Sequence, residues 1–144
     1  MRSLGLDIGD RRIGVAISDP GGILARPLTI LERTSDQEAI SAITEIIEKE
    51  DIQRVVVGLP LSLDGTIREQ AEKVRAFAGL LAERVKVPLE LRDERLTTVT
   101  AQRLMREARG KKKPPKSRKE THDDAIAAAV ILQEYLDEAH DPVK

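Results

Sequence analysis

No cysteine occurs in this chain of 144 residues, which excludes a disulfide framework and any thiolate metal site. Two histidines leave little imidazole for a zinc centre. Trp is absent and Tyr and Phe occur once each, so the aromatic platforms on which single-strand binders stack bases are missing. There is no apolar run long enough to span a bilayer and no signal peptide; no membrane partner is expected, and the cytoplasm is the simplest location. Neither charge sign is in excess, the formal net charge being −1. That balance hides an asymmetry: about half a dozen Lys and Arg residues crowd between Arg109 and Lys119, while acids occupy the predicted helices and the C-terminal tail. A polyanion would therefore meet one face. The length suits one domain with a real core and is too short for two lobes around a cleft.

What is present reads as an α/β chain. Residues 2 to 9, 11 to 18 and 23 to 31 form three predicted strands, separated by Gly9-Asp10 and by Asp19-Pro20-Gly21-Gly22, both strong turn signals. Ser35 with Glu38 makes a capping box, after which Ile40, Ile43 and Ile47 recur at helical spacing. Ile52 to Leu59 is apolar on both faces, as in a central strand covered by helices on each side. Thr66 and Glu69 form a second capping box, followed by Ile67, Ala71, Val74, Ala78, Leu81 and Val85. Pro88 to Asp93 reads as a fifth strand, and Thr97 as the cap of a helix carrying Ala101, Leu104 and Ala108. The Lys- and Pro-rich stretch 110–119 is expected to be a mobile basic loop, with a last helix from about Thr121 to Asp137. One domain over 1–138 and a flexible acidic tail over 139–144 follow. The order βββαβαβα plus a C-terminal helix predicts a mixed five-stranded sheet flanked by helices, the layout of the ribonuclease H-like fold.

Three carboxylates lie at element ends beside apolar segments: Asp7, Glu94 and Asp124. Removing a charge from water costs several kcal/mol unless a cation or hydrogen bonds compensate, so three such acids suggest a shared cation. Hard oxygen donors favour Mg²⁺ or Mn²⁺, and carboxylate-held ions of this kind serve in-line phosphoryl transfer. Counting by twos, Asp7 shares a strand face with Ser3, Gly5 and Gly9, small neighbours that leave room for an ion or a phosphate; the plainer reading is an aspartate at a hairpin turn. For Glu94, alternation from Leu89 and Leu91 points Asp93 instead toward the apolar face, and a solvated charged loop is the plainer alternative. On the last helix Asp124 shares a face with Ala128, Ile131 and Tyr135, while Asp123 joins Ala127, Val130 and Glu134, a stripe that turns polar sooner. Both acids also suit a helix N-terminus, and His122 beside them is a weaker candidate for a base or phosphate contact. Lys111, Lys112, Lys113, Lys116, Arg118 and Lys119 lead into this helix and would offset the repulsion between an acidic cluster and a phosphate backbone, with Arg12, Arg11, Arg92 and Arg95 able to add to them. By default such a run is a solvated linker.

Four motifs carry a family likeness: Leu6-Asp7-Ile8-Gly9-Asp10-Arg11-Arg12-Ile13-Gly14-Val15-Ala16-Ile17-Ser18-Asp19, Val57-Gly58-Leu59-Pro60-Leu61-Ser62-Leu63-Asp64-Gly65, Asp93-Glu94-Arg95-Leu96-Thr97-Thr98 and Asp124-Ala125-Ile126-Ala127-Ala128-Ala129-Val130-Ile131-Leu132-Gln133. Together they resemble the YqgF/RuvX family over nearly the whole chain. The resemblance implies a fold like that of the RuvC Holliday-junction resolvases and a cytoplasmic nuclease of pre-16S rRNA acting in ribosome maturation. It implies metal-binding, catalytic roles for Asp7, Glu94 and Asp124, with Mg²⁺ or Mn²⁺ as cofactor. The expected partners are RNA, with branched DNA and ribosome precursors as further candidates, for a monomer or homodimer. Two rival readings stand beside it: a DNA junction resolvase, which needs a dimer to cut symmetrically, and a non-catalytic nucleic-acid or ribosome-associated binding factor. His122-Asp123 departs from the family, which more often has an apolar residue before its single Asp.

Overall fold

The protein is described by a computed structural model covering residues 1–59, 65–93 and 116–139, with backbone alone for 65–68, 93 and 116–124. Its elements are β1 (Ser3–Ile8), β2 (Arg12–Ser18), β3 (Ala25–Glu32), α1 (Asp36–Lys49), β4 (Arg54–Leu59), α2 (Gly65–Arg84), β5 (Leu89–Asp93) and α3 (Lys116–Ala139). The sheet order is β3-β2-β1-β4-β5. The first three strands form an antiparallel meander, as two short turns require, and β4 and β5 join β1 in parallel. The predicted mixed sheet is thus observed.

Side-chain alternation divides the interior in two. Leu4, Leu6 and Ile8 of β1, with Val55 and Val57 of β4, face α1 and α2 and meet Ile43, Val74, Phe77 and Leu81 there. Ala16, Val56, Ala128, Ile131, Leu132 and Leu136 form a second core beneath α3. Val55, Val56 and Val57 are all fully buried, so β4 is covered on both faces, as its continuous apolar run predicts. β3 is an edge strand, and Pro27 sits where its register against β2 shifts, the place a strand tolerates a residue without an N–H.

The helix signals fare unevenly. The Ser35 hydroxyl accepts from the Glu38 N–H at 3.1 Å, while the Glu38 carboxylate is taken up by the Thr34 hydroxyl. α2 already starts at Gly65, so Thr66 stands inside its first turn and is not the cap. α3 starts at Lys116, so Lys116, Arg118 and Lys119 belong to a helix and not to the expected loop. Past Pro115, a residue suited to the entry of a helix, no breaker follows, and helix-compatible residues continue to Ala139. Lys111, Lys112, Lys113, the Thr97-capped helix and residues 140–144 lie outside the described residues.

Candidate active site

β1, β4 and β5 run parallel and end together, and their C-terminal edge carries Asp7. The pairs Asp7↔Gly14 and Gly58↔Arg92, with Leu6↔Val57 one step earlier, put Gly14, Asp7, Gly58 and Arg92 in one row across the sheet. Asp7 is half-buried with a glycine beside it on each neighbouring strand. The small residues next to its carboxylate therefore come from β2 and β4.

Gly5, in contrast, leaves no room. A methyl group placed there would come within 2.8 Å of Leu132 Cβ and 2.9 Å of the Ala128 carbonyl oxygen, so the expectation of an open pocket over Gly5 is corrected: its missing side chain lets α3 press on β1. Sequence alternation gives the face but not what covers it. The contacts also fix the direction of α3. Gln133 accepts from the Ala25 N–H at 2.8 Å and Tyr135 meets Arg54, both at the edge where β1 and β4 begin, while Ala128 lies over Gly5. The helix runs opposite to β1. One turn back from Ala128 moves the helix backbone about 6 Å, the same as the step of about 6.6 Å from Gly5 to Asp7. The backbone at Asp124 thus reaches the level of Asp7 on the same sheet face; its side chain is not described. Ala128 is fully buried and Ala127 half-buried, as the predicted helix phase has it, while Val130 on the stripe of Asp123 is buried as well.

Glu94 lies outside the described residues, directly after Asp93, which ends β5 opposite Leu59. The face that α3 covers takes Glu90 and Arg92 from β5: Arg92 Nη2 pairs with Glu138 Oε1 at 2.6 Å, and Arg54 with Glu90 at 3.6 Å. Leu89 packs into the core on the opposite face. The apolar side of β5 is therefore not the side of Asp7, and alternation from Leu89 gives no reason to prefer Asp93.

Of the predicted phosphate contacts, Arg12 is half-buried at the start of β2, on the same edge as Asp7 and opposite Glu32, and Arg11 is exposed in the preceding turn. Arg92 is committed elsewhere: the hydrogen bond it donates to Glu138, reinforced by Glu134 and Glu90, raises its pKa above the usual guanidinium range, and burial raises that of Glu134. Among the described residues no group of three or more acids and histidines could hold a metal ion, and Asp7 is the one proposed ligand whose side chain is described.

Sequence reading missed Arg33. Its guanidinium donates from Nη1 to the Gly9 carbonyl at 2.8 Å and from Nε to Asp36 Oδ1 at 3.0 Å, and it lies 4.8 Å from the centre of the Phe77 ring. A lone Arg between a strand and a helix cap gives no sequence signal of this.

Comparisons with known proteins show the family and the fold. The family model "RuvX: Holliday junction resolvase" matches residues 1–138. A Dehalococcoides mccartyi protein named "Putative pre-16S rRNA nuclease" is 47% identical over 135 residues, covering 94% of this chain and 97% of that protein. One of the same name from Caldanaerobacter subterraneus subsp. tengcongensis is 45% identical, covering 95% and 96%. In structure, Thermus thermophilus RuvC in complex with a Holliday junction superposes with a TM-score of 0.65 at 15% identity, covering 97% of each chain. The Fowlpox virus resolvase with Holliday junction DNA gives 0.58 at 10% identity, covering 98% of this chain and 100% of that one. At such identities the shared property is the fold.

Proposed function

The chain belongs to the RuvX family, and on that premise we propose that it is a divalent-metal-dependent nuclease that hydrolyses phosphodiester bonds in structured RNA, pre-16S rRNA being the substrate the curated relatives' names suggest. The observation that carries the reading is the half-buried Asp7 carboxylate between Gly14 and Gly58 at the edge where β1, β4 and β5 end, with the α3 backbone at Asp124 brought to its level. Glycine on either side puts no neighbouring strand side chain against the carboxylate, which is itself partly exposed. Oxygen donors in this setting fit Mg²⁺ or Mn²⁺. Asp7, Glu94 and Asp124 would hold the ion, and the face taken by Glu90 and Arg92 supports assigning position 94 to the side of Asp7. When bound, such an ion polarises the phosphate and lowers the pKa of an attacking water.

The chain's own residues do the rest. β1 carries Asp7 and α3 brings the backbone of position 124, distant in sequence, to its level. Arg11 and Arg12 at the edge, and the lysines and arginine of 111–119, would neutralise the phosphates flanking the scissile bond without reading bases. Water adds to phosphorus, the P–O3′ bond breaks and the 3′ oxygen takes a proton, leaving a 5′-phosphate and a 3′-hydroxyl. Ribosome association, cytoplasmic location and a choice between monomer and homodimer belong to the same proposal. Cleavage of matched RNA and DNA substrates with and without Mg²⁺ or Mn²⁺, by the wild type and by Asp7→Asn, tests it. RNA cleavage lost in the variant supports the reading. Cleavage confined to four-way DNA junctions would favour a resolvase, and binding with no cleavage under any ion would favour a binding factor.

A further inference from the structure

Arg33 is anchored by parts of the chain that only the fold brings together. Its side chain is 13% exposed and ties the β1–β2 turn, through the Gly9 carbonyl, to the first turn of α1, through Asp36, and to α2, through the Phe77 ring. Its backbone N–H also donates to the Arg11 carbonyl at 2.8 Å, so the same residue holds the turn on both sides of Asp10. Phe77 is the only phenylalanine and is buried in the core, so the face of its ring is a fixed support for the guanidinium. Asp10 adds one exposed, long ion pair to Lys73 at 3.9 Å, much the weaker restraint. Gly9 itself has no slack: its N–H donates to the Arg12 carbonyl at 2.9 Å, and a methyl group on it would lie 2.7 Å from that oxygen.

We infer that Arg33 is a positioning residue for Asp7, holding the end of β1 from the α1/α2 face of the sheet so that the carboxylate on the opposite face keeps a fixed place for the metal and the phosphate. The inference rests on the nuclease reading above. Arg33 touches neither substrate nor metal; it acts through Gly9, two residues beyond Asp7. Partners that orient ligands in this indirect way alter metal affinity or activity by about 10- to 100-fold when removed. A bracket of the helical layer alone would change stability and leave both unaltered.

Arg33→Met keeps length and contact with Phe77 while removing the donors; Arg33→Lys keeps the charge over the ring and one donor. For each, with the wild type and Asp7→Asn beside them, Mn²⁺ affinity is measured from the spin-resonance signal of free Mn²⁺, hydrogen exchange is followed at the Gly9 amide and at Ile43 and Val74, and kcat and KM are determined on an RNA substrate. In Arg33→Met, Mn²⁺ binding should weaken about tenfold or more and kcat fall by a similar factor with KM little changed. The Gly9 amide should exchange faster while Ile43 and Val74 do not, and Arg33→Lys should recover part of each loss. If Arg33→Met does not fold, Arg33→Lys alone should still show the weakened Mn²⁺ binding. Wild-type Mn²⁺ affinity and kcat in a folded variant would overturn the inference and leave Arg33 a structural bracket. A wild type that neither binds Mn²⁺ nor cleaves would instead sink the nuclease reading, and the inference with it.

Discussion

Replacing Gly5 by Ala is the most direct way to ask whether the packing of α3 on β1 sets the site. The new methyl would stand 2.8 Å from Leu132 Cβ and 2.9 Å from the Ala128 carbonyl oxygen. Carbon atoms settle at about 3.5–4.0 Å, so α3 must move by roughly 0.7 Å or more at that turn. Part of the obstacle is backbone, which a rotamer change cannot clear. Overpacking of this kind costs about 1–3 kcal/mol, offset by about 0.4–1 kcal/mol from the stiffer unfolded chain, for a net loss of roughly 1–2 kcal/mol. At about 2–4 °C per kcal/mol for a chain of this size, Tm should fall by several degrees with the protein still folded at 25 °C. The helix that moves also carries Asp124 one turn away. A displacement near 1 Å at reacting groups can cost about 100-fold, so kcat should drop by ten- to a hundredfold, more than unfolding explains.

Thermal unfolding followed by circular dichroism and cleavage of one RNA substrate under saturating Mg²⁺ measure both effects on the same preparations. Gly79→Ala is the control, because a methyl at Gly79 meets nothing within 4 Å. In the interior of α2 it should stabilise by about 0.5–1 kcal/mol and leave turnover alone. A Gly5→Ala protein with wild-type Tm and kcat would refute the close approach of α3 to β1. Lost stability with full kcat would show that the helix yields at Ala128 without moving its N-terminal turns.

The other predictions concern single groups. Asp7→Asn should abolish cleavage while the fold is kept or slightly stabilised, since it removes one charge from the proposed set of three carboxylates; retained turnover with Mg²⁺ or Mn²⁺ sinks the metal site, and a loss of several kcal/mol would make Asp7 structural. Asp124→Asn should damage kcat far more than Asp123→Asn in one assay, because Asp124 shares its helix face with the fully buried Ala128; the reverse order would overturn the helix phase. Replacing Lys111, Lys112 and Lys113 by Ala should weaken RNA binding and flatten its log-log salt slope by up to roughly three units, measured with Ca²⁺ in place of the active ion; parallel slopes with equal affinities leave the run a solvated linker. The Asp19 carboxylate is held below its ordinary pKa by the Leu24 and Ile23 N–H groups. Its support of the β2–β3 loop should be complete above the ordinary value and lost as pH falls through the lower folded one, read as faster exchange of those two amides without loss of the core.

The elements were legible because each carries its own period: steps of three and four in Ile40, Ile43 and Ile47, and an unbroken run in Val55-Val56-Val57. Short turns and long crossovers then gave the sheet its mixed pattern. Alternation also assigned Asp7 to the face of Ser3 and Gly5, opposite Leu4, Leu6 and Ile8. What it could not say was which layer covers that face. The small residue that looked like room for a ligand is the seat of α3, and the glycines beside Asp7 are Gly14 and Gly58, themselves buried, which meet it only once the strands are in register. On β5 the same limit gave the wrong test. Apolar positions do not mark the side of Asp7 there: Leu89 packs under α1 and α2, and Leu91, on an edge strand, stays 43% exposed.

Arg33 was illegible for a related reason: its partners on β1, α1 and α2 are assembled by tertiary structure, so no local spacing encodes them. Its place suggests why the two cores are unequal at this edge. Beneath α1 and α2, Leu6, Ile8, Val57 and Leu59 extend the first core to the end of the central strands, and Arg33 bonds the turn just beyond it. On the α3 face the last buried apolar side chain of β4 is Val56, and the next row sets the half-buried Asp7 and Arg92 beside the buried glycines Gly14 and Gly58. A carboxylate could not stand in the first core without a large desolvation cost, but it can stand where the second core ends. On the proposed reading, rigidity is supplied from one face of the sheet and chemistry from the other. By this argument Leu6→Ala and Ile8→Ala should lower stability by about 2–5 kcal/mol as ordinary core truncations. Arg33→Met should change the behaviour of Asp7 at a smaller loss of stability, because what it removes is a hydrogen bond to a turn and not buried apolar volume.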